Sequence, residues 1–160
     1  LRPLQLENAA LDRKRNIAEV AGLIGPGGDV EAAFRRVEAR VIDLHTGEFA
    51  EGIDPTRYDQ RKAARDPQQS RALAPAEDIA GIGRRARYAT VYFVREGETI
   101  RQVILPVHGY GLWSTLYGFL ALKAHRGRVE ILRACGDPGP RRGSGQPVVA
   151  QEMGGESRLR

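Results

Sequence analysis

The sequence predicts a mixed α+β domain, a long N-terminal helix leading into antiparallel hairpins with a second helix packed against them. Two patterns carry the prediction. Apolar residues near the start recur at helical period, and two later stretches alternate around short turns in the manner of paired strands. A third observation bounds the domain. After Arg133 both periodicities stop, and the remainder lacks aromatics, so it is expected to be a disordered tail.

Residues 4–24 (LQLENAALDRKRNIAEVAGLI) place Leu4, Leu11 and Ala18 seven apart, with Ile17, Val20 and Ala21 beside them. That is an apolar stripe on one helix face. Gly22 and Gly25-Pro26-Gly27-Gly28 end it. Asp29 is a candidate N-cap for a helix over 29–39 carrying Val30, Ala33, Phe34 and Val37 on one side. Arg40 to Leu44 reads as a short strand and His45-Thr46-Gly47-Glu48 as a turn. A polar stretch follows, with a short helix after Asp54-Pro55 that ends at Asp66-Pro67, and residues 66–79 read as a surface loop.

From Arg87 to Val94, Ala89, Val91 and Phe93 alternate with Tyr88, Thr90 and Tyr92, a strand pattern rich in β-branched and aromatic residues. Glu96-Gly97-Glu98 turns it into a partner strand, giving a hairpin over 87–105. After Pro106, His108-Gly109-Tyr110-Gly111 reads as a loop. Tyr117 to Leu122 and Val129 to Leu132, turned at His125-Arg126-Gly127-Arg128, form a second hairpin over 116–132.

Composition narrows the function classes. A chain of 160 residues has room for one packed domain. Its net charge of +5 and pI near 9.8 invite a nucleic-acid reading. The surplus sits mainly in residues 126–160, which hold seven Arg and four acids; residues 1–125 carry 18 basic residues against 16 acidic. The single cysteine, Cys135, excludes an internal disulfide framework and a thiolate metal cluster. No stretch approaches the ~18 apolar residues of a membrane span, and the start at Leu1 implies a missing N-terminal piece, an anchor or a signal sequence among the possibilities.

Three ordered segments carry a family resemblance: LRPLQLENAALDRKRNIAEVAGL at 1–23, DIAGIGRRARYATVYFV at 78–94 and ILPVHGYGLWSTLYGFLALKA at 104–124. Over residues 1–132 the chain resembles the C subunit of the bacterial sodium-translocating NADH:quinone oxidoreductase, a member of the FMN-binding domain family. The resemblance implies a membrane-proximal helix at 1–24, following a membrane helix absent from this sequence, and a partial FMN-binding domain at 25–132. It also implies an electron carrier in an oxidoreductase complex that couples NADH oxidation and quinone reduction to sodium export. Such a protein needs no catalytic side chain of its own, because the flavin carries the redox chemistry. Its expected partners are the sibling subunits, the membrane and a flavin transferase, not nucleic acid. Its expected location is the bacterial inner membrane with the soluble domain on the periplasmic side. Basic segments beside a membrane helix ordinarily stay cytoplasmic; the reading follows the resemblance.

In that family FMN is held by a phosphoester to the threonine of a C-terminal Ser/Thr-Gly-Ala-Thr motif. The threonines here are Thr46, Thr56, Thr90, Thr99 and Thr115, and none lies in that context. The implied flavin-binding set is therefore Gly111, Leu112, Trp113, Ser114, Thr115 and Tyr117, without the covalent anchor. An aromatic beside permissive glycines suits close approach to a flat ring.

The tail suggests a reason for the missing anchor. A synonymous codon choice for ILRACGDPGPRRG, read from its second base, encodes FYEHAETPGLGG, which contains the ETPGLGG stretch of the family. The expectation is a frame change near Ile131, so that residues 133–160 are a disordered, out-of-frame tail, unable to attach FMN. A genuine lesion and a sequencing error both account for it.

Other readings stay open on the residues alone. Trp113 is equally a core tryptophan after a glycine turn, and Tyr117 and Phe119 suit a core strand. His45, His108 and His125 are too scattered for a metal site. Arg13-Lys14-Arg15 and Arg84-Arg85-Ala86-Arg87 suit either solvated charge or contacts to phosphates of nucleic acid or lipid. The alternatives to the electron carrier are thus a basic module for nucleic acid or lipid head groups, and a non-functional fragment.

Overall fold

A computed structural model describes residues 2–25, 27–125 and 128–137. The expectations for Pro26, for Arg126-Gly127 and for the tail over 138–160 lie outside the described residues. The elements run α1 (Arg2–Val20), α2 (Val30–Phe34), β1 (Val37–Asp43), α3 (Gln60–Arg65), β2 (Ser70–Ala72), β3 (Arg84–Ala86), β4 (Tyr88–Glu96), β5 (Thr99–Tyr110), β6 (Thr115–His125) and β7 (Arg128–Asp137). A five-stranded sheet has the order β1-β4-β5-β6-β7, and β2 pairs with β3 separately. The mixed α+β class expected from the sequence is the one observed.

The described residues form two compact units. The first holds residues up to Glu38, Phe93–Val107 and Tyr117 onward. Here α1 ends in a glycine cap: Gly22, at φ 71°, donates its N–H to Glu19 O at 3.0 Å, and Leu23 N–H reaches Ala18 O at 2.9 Å. Those two bonds occupy carbonyls that a helix end leaves open, and the positive φ is why glycine stands there. The helix buries Ile17, Ala18 and Val20, with Ala21 just past its end, while Leu4 and Leu11 are exposed. The heptad stripe read from the sequence is therefore packed only in its last turns.

The second helix is shorter than 29–39. Asp29 caps it as expected, its Oδ1 accepting from Glu31 N at 3.0 Å and Ala32 N at 3.2 Å. After Phe34, however, the chain becomes extended, and Val37 opens β1 instead of closing the helix. Five helical residues do not hold against a β-branched residue that can join a sheet. Lys14 spans the two helices, bonding Glu31 at 3.2 Å and lying 5.4 Å from the Phe34 ring centroid.

Between β6 and β7 the antiparallel register runs from Tyr117↔Asp137 to His125↔Arg128. It slips once: Ala121 faces Arg133 and Leu122 faces Ile131, so Leu132 is left over as a bulge. The second hairpin thus extends five residues past Leu132. β5 likewise runs through Pro106 to Tyr110, where the sequence suggested a loop. Pro106 lies inside this strand, its fixed φ being compatible with extended backbone.

The second unit comprises Ala39–Tyr92 and His108–Leu116. Val41, Val91 and three alanines, Ala63, Ala86 and Ala89, are its buried apolar residues. The segment expected to be a loop contains β2, paired Ser70↔Ala86 through Ala72↔Arg84. Arg84 fastens this ribbon, its Nε bonding Ser70 Oγ at 2.9 Å and its Nη2 bonding Ser70 O at 3.0 Å. The short helix expected after Asp54-Pro55 begins at Gln60, where Asp59 accepts from Lys62 N at 3.0 Å. Just before it, the Tyr58 hydroxyl donates to Tyr88 O at 2.9 Å, and burial raises the Tyr58 pKa.

Candidate functional site

The residues proposed to meet the flavin form the tip of the β5–β6 hairpin. β5 ends at Tyr110, the chain bends over Leu112, Trp113 and Ser114, and β6 starts at Thr115. Gly111 N donates to Ser114 O at 2.8 Å, closing the turn. A Cβ at Gly111 would stand 2.9 Å from Leu116 Cδ1 and 3.2 Å from Ser114 O, so the close crossing needs glycine or a displaced Leu116.

Trp113 is no core residue. It is 89% exposed, Leu112 is 85% exposed, and Tyr110 and Leu116 are each 66% exposed. Four large apolar side chains on one tight turn make a patch that the sequence only partly revealed. Gly111, Leu112, Trp113, Ser114 and Thr115 lie together in the second unit, while Tyr117 falls in the first. Phe119 is buried there, in agreement with the core reading.

A second loop braces the tip. Asp78 accepts from Ile82 N and Gly83 N, both at 2.8 Å, and this ties residues 78–83 into a compact turn. Ala80 O accepts the Tyr110 N–H at 2.7 Å, and Gly81, at φ 64°, leaves 3.2 Å between its missing Cβ and Tyr110 Cβ. Ile79 is 96% exposed on that loop. The sequence reading missed Ile79 and Leu116; the signal was an isoleucine between turn residues and a leucine adjoining the glycine-flanked turn.

A flat apolar ring fits this arrangement in chemical terms. Exposed aromatic and aliphatic faces offer stacking area, and the glycines admit it near the backbone. His108, two residues before Tyr110, is half-buried. Burial, and secondarily the Arg61 guanidinium, hold its pKa below the usual 6.5. No cluster of metal-binding side chains occurs among the described residues, and no described helix is long and apolar enough to cross a membrane. Of the basic runs, Lys14, Arg84 and Arg87 are engaged within the fold, by Glu31, Ser70 and Asp43.

No protein-family model matches the chain. Individual proteins do. It is 54% identical over 127 residues to the C subunit of the Na(+)-translocating NADH-quinone reductase of Pseudomonas aeruginosa, a match covering 77% of this chain and 49% of that protein. The corresponding protein of Vibrio alginolyticus is 45% identical over 133 residues, covering 82% of this chain and 52% of that one. For Yersinia pestis the identity is 48% over 127 residues, with 76% and 47% covered. The chain thus spans about half the length of the curated relatives it matches. The crystal structure of Shewanella oneidensis NqrC superposes with a TM-score of 0.69 at 26% identity, covering 97% of this chain and 64% of that one. Similar in sequence over 77% of its residues and in fold over 97%, the chain resembles the C subunits of the Na(+)-translocating NADH-quinone reductases.

Proposed function

We propose that this chain is part of the FMN-carrying electron-transfer subunit of a sodium-translocating NADH:quinone oxidoreductase, and that the β5–β6 tip is where the flavin ring docks. One observation carries the reading: Trp113, Leu112 and Leu116 are held out to solvent on a glycine-closed turn, where burial against a flat ring would recover the apolar area they expose. FMN, when bound, exchanges one or two electrons. The chain's own residues would position it: Trp113 and Leu112 by stacking, Gly111 by close approach, and Ser114 and Thr115 by hydroxyl contacts. Tyr117, the remaining residue that the resemblance implies, lies in the first unit and is not placed at this tip. The relatives are named as NADH-quinone reductase subunits, which supports sibling subunits of such a complex, at the bacterial inner membrane, as partners. A membrane helix preceding α1, a periplasmic setting and loading by a flavin transferase belong to the same proposal.

Residues 1–160 hold no Ser/Thr-Gly-Ala-Thr motif, so docking by these residues is non-covalent. The frame change near Ile131 remains part of the reading, with residues 133–160 as an out-of-frame tail. Genomic DNA across the codons for 125–160 decides this point; a single open frame with no FYEHAETPGLGG alternative ends it.

Trp113 is the sole tryptophan, which gives the docking a clean test. Titration with FMN should quench both the Trp113 emission and the flavin emission, with saturation, and Trp113→Leu should abolish the flavin quenching. Absence of saturable quenching up to about 1 mM FMN, the limit of weak binding near 4 kcal/mol, would overturn the proposed ring site.

A further inference from the structure

The basic run Arg84-Arg85-Ala86-Arg87 is only partly engaged within the fold. Arg84 fastens the β2–β3 ribbon to Ser70, and Arg87 holds Asp43. Arg85 does neither. Its register partner is Arg71, so two guanidinium groups project from directly opposite positions on the same face of the ribbon. Ala86, on the other face, is buried, while Arg71 and Arg85 are exposed. We propose that this arginine pair holds the phosphate of FMN; the inference rests on the ring site proposed at the β5–β6 tip and extends it to the other end of the cofactor.

Charge is the first argument. Like charges directly opposite one another weaken a two-stranded ribbon, so no gain within the ribbon explains the pair. One carboxylate lies beside them. Glu77 Oε2 accepts Arg71 Nη1 at 2.9 Å and the Ala74 N–H at 3.2 Å. The Arg71 hydrogen bond first, the Ala74 N–H next and the Arg85 charge least hold the Glu77 pKa below the usual 4.5. Arg85 is thus within electrostatic reach of Glu77 but bonded to no carboxylate among the described residues. The residues flanking the pair on this face, Gln69, Leu73, Gly83 and Arg87, are all described, and none is acidic. Two guanidinium groups therefore face one carboxylate, and a phosphate accepting from both forks completes the cluster.

Position is the second argument. The ribbon runs directly into the loop that braces the ring site. Leu73 N–H bonds Gly83 O at 2.9 Å, Asp78 ties Ile82 and Gly83, and Ala80 O holds the Tyr110 N–H. From Gly81, which abuts Tyr110, to Arg85 is four residues, at most about 14 Å of chain. A ribityl phosphate arm and an arginine side chain cover that span between them. All of these residues lie within the second unit. The chain holds no Ser/Thr-Gly-Ala-Thr motif, so a phosphate docked here is held by charge and not by a phosphoester.

Titrating the full chain into dilute flavin at low ionic strength, with FMN and riboflavin compared by the quenching of their emission, tests this. The two share the ring and differ in the phosphate. FMN should bind about tenfold more tightly than riboflavin, the scale of charge-assisted hydrogen bonds at an exposed site. Arg71→Gln and Arg85→Gln should each weaken FMN binding by about threefold, and the double variant should bind FMN and riboflavin alike. Glu77→Gln, which removes the competing carboxylate, should tighten FMN binding by about threefold, a gain that a merely structural role does not predict. None of these changes should move riboflavin binding, and added salt should weaken FMN binding alone. Arg35→Gln, which removes the same charge from the end of α2 in the first unit, should leave the ratio of the two affinities unchanged. Circular dichroism of each variant separates loss of binding from loss of fold. Equal affinities for FMN and riboflavin, an undiminished FMN preference in the folded double variant, or the same loss in Arg35→Gln would each overturn the phosphate site and leave the ring site standing. Quenching of neither flavin would remove both.

Discussion

Asp43 shows how a carboxylate is kept inside a small unit. It is 7% exposed, its Oδ1 accepts the His45 N–H at 2.8 Å, and its Oδ2 accepts Nε and Nη2 of Arg87, both at 3.1 Å. The His45 N–H, with Arg87 in support, holds its pKa below the usual 3.8 against the opposing effect of burial. A depressed carboxylate stabilises the fold above its unfolded pKa, and that contribution is lost as pH falls through the lower folded value. Asp43→Asn should therefore lower the melting midpoint at pH 7, and the gap from the parent chain should close on acidification below 3.8. A gap that persists in acid would show that packing, not charge, is responsible. His108 works by burial. Its folded pKa lies below 6.5, so the fold holds it neutral, and stability is lost as pH falls from 6.5 to the lower folded value. Urea melts from about pH 5 to 7.5 should show this slope, and His108→Gln should flatten it.

At the scale of elements, the brace between the 78–83 loop and the end of β5 depends on Gly81. A side chain there would sit at φ 64° and meet Tyr110 Cβ at 3.2 Å. Gly81→Ala should cost about 1–2 kcal/mol for the left-handed backbone, with the contact adding to it. Gly97→Ala, also at positive φ (62°) but with nothing within 4 Å, isolates the backbone part. Equal losses in the two variants would show that the Tyr110 contact carries no weight. Elements with strong period were legible in the sequence: α1, the β4–β5 hairpin and the Asp29 cap all follow from local chemistry. Those set by pairing were not. Ser70-Arg71-Ala72 has no strand pattern and is extended because Arg84 to Ala86 runs beside it. The expected alternation along β4 also blurs, since Thr90 and Val94 are buried along with Ala89, Val91 and Phe93, residues of both parities, so both faces of this strand are covered. Within the site, GYGLWST announced a turn with an aromatic, while the exposure of Trp113 and the brace from Ala80 depend on contacts no local pattern encodes.

For the molecule as a whole, one resemblance carried by three ordered segments foresaw the reductase relatives, whereas composition alone pointed toward a basic binder. The reason is physical. Net charge reports solubility and association, not fold, and here most of it sits in residues 126–160. The division into two units is what neither route anticipated, and it has a measurable consequence. The first unit buries Ile17, Val20, Phe93, Ile104 and Phe119; the second relies on Val41, Val91 and alanines. A buried Ile or Phe contributes about 1.5–3 kcal/mol and an alanine much less. The second unit also contains a six-residue helix and three-residue strands, lengths that do not persist without tertiary support. Local opening should therefore be easier there. Native-state hydrogen exchange should find the Ala63 and Asp66 amides, bonded to Asp59 O at 3.0 Å and Ala63 O at 3.2 Å, exchanging at least about tenfold faster than the Ala21 and Leu23 amides at the end of α1. Intrinsic exchange rates are divided out first, so that only opening is compared. Equal protection at both sets would mean that the two units open as one, and the smaller core would then not be the weaker one.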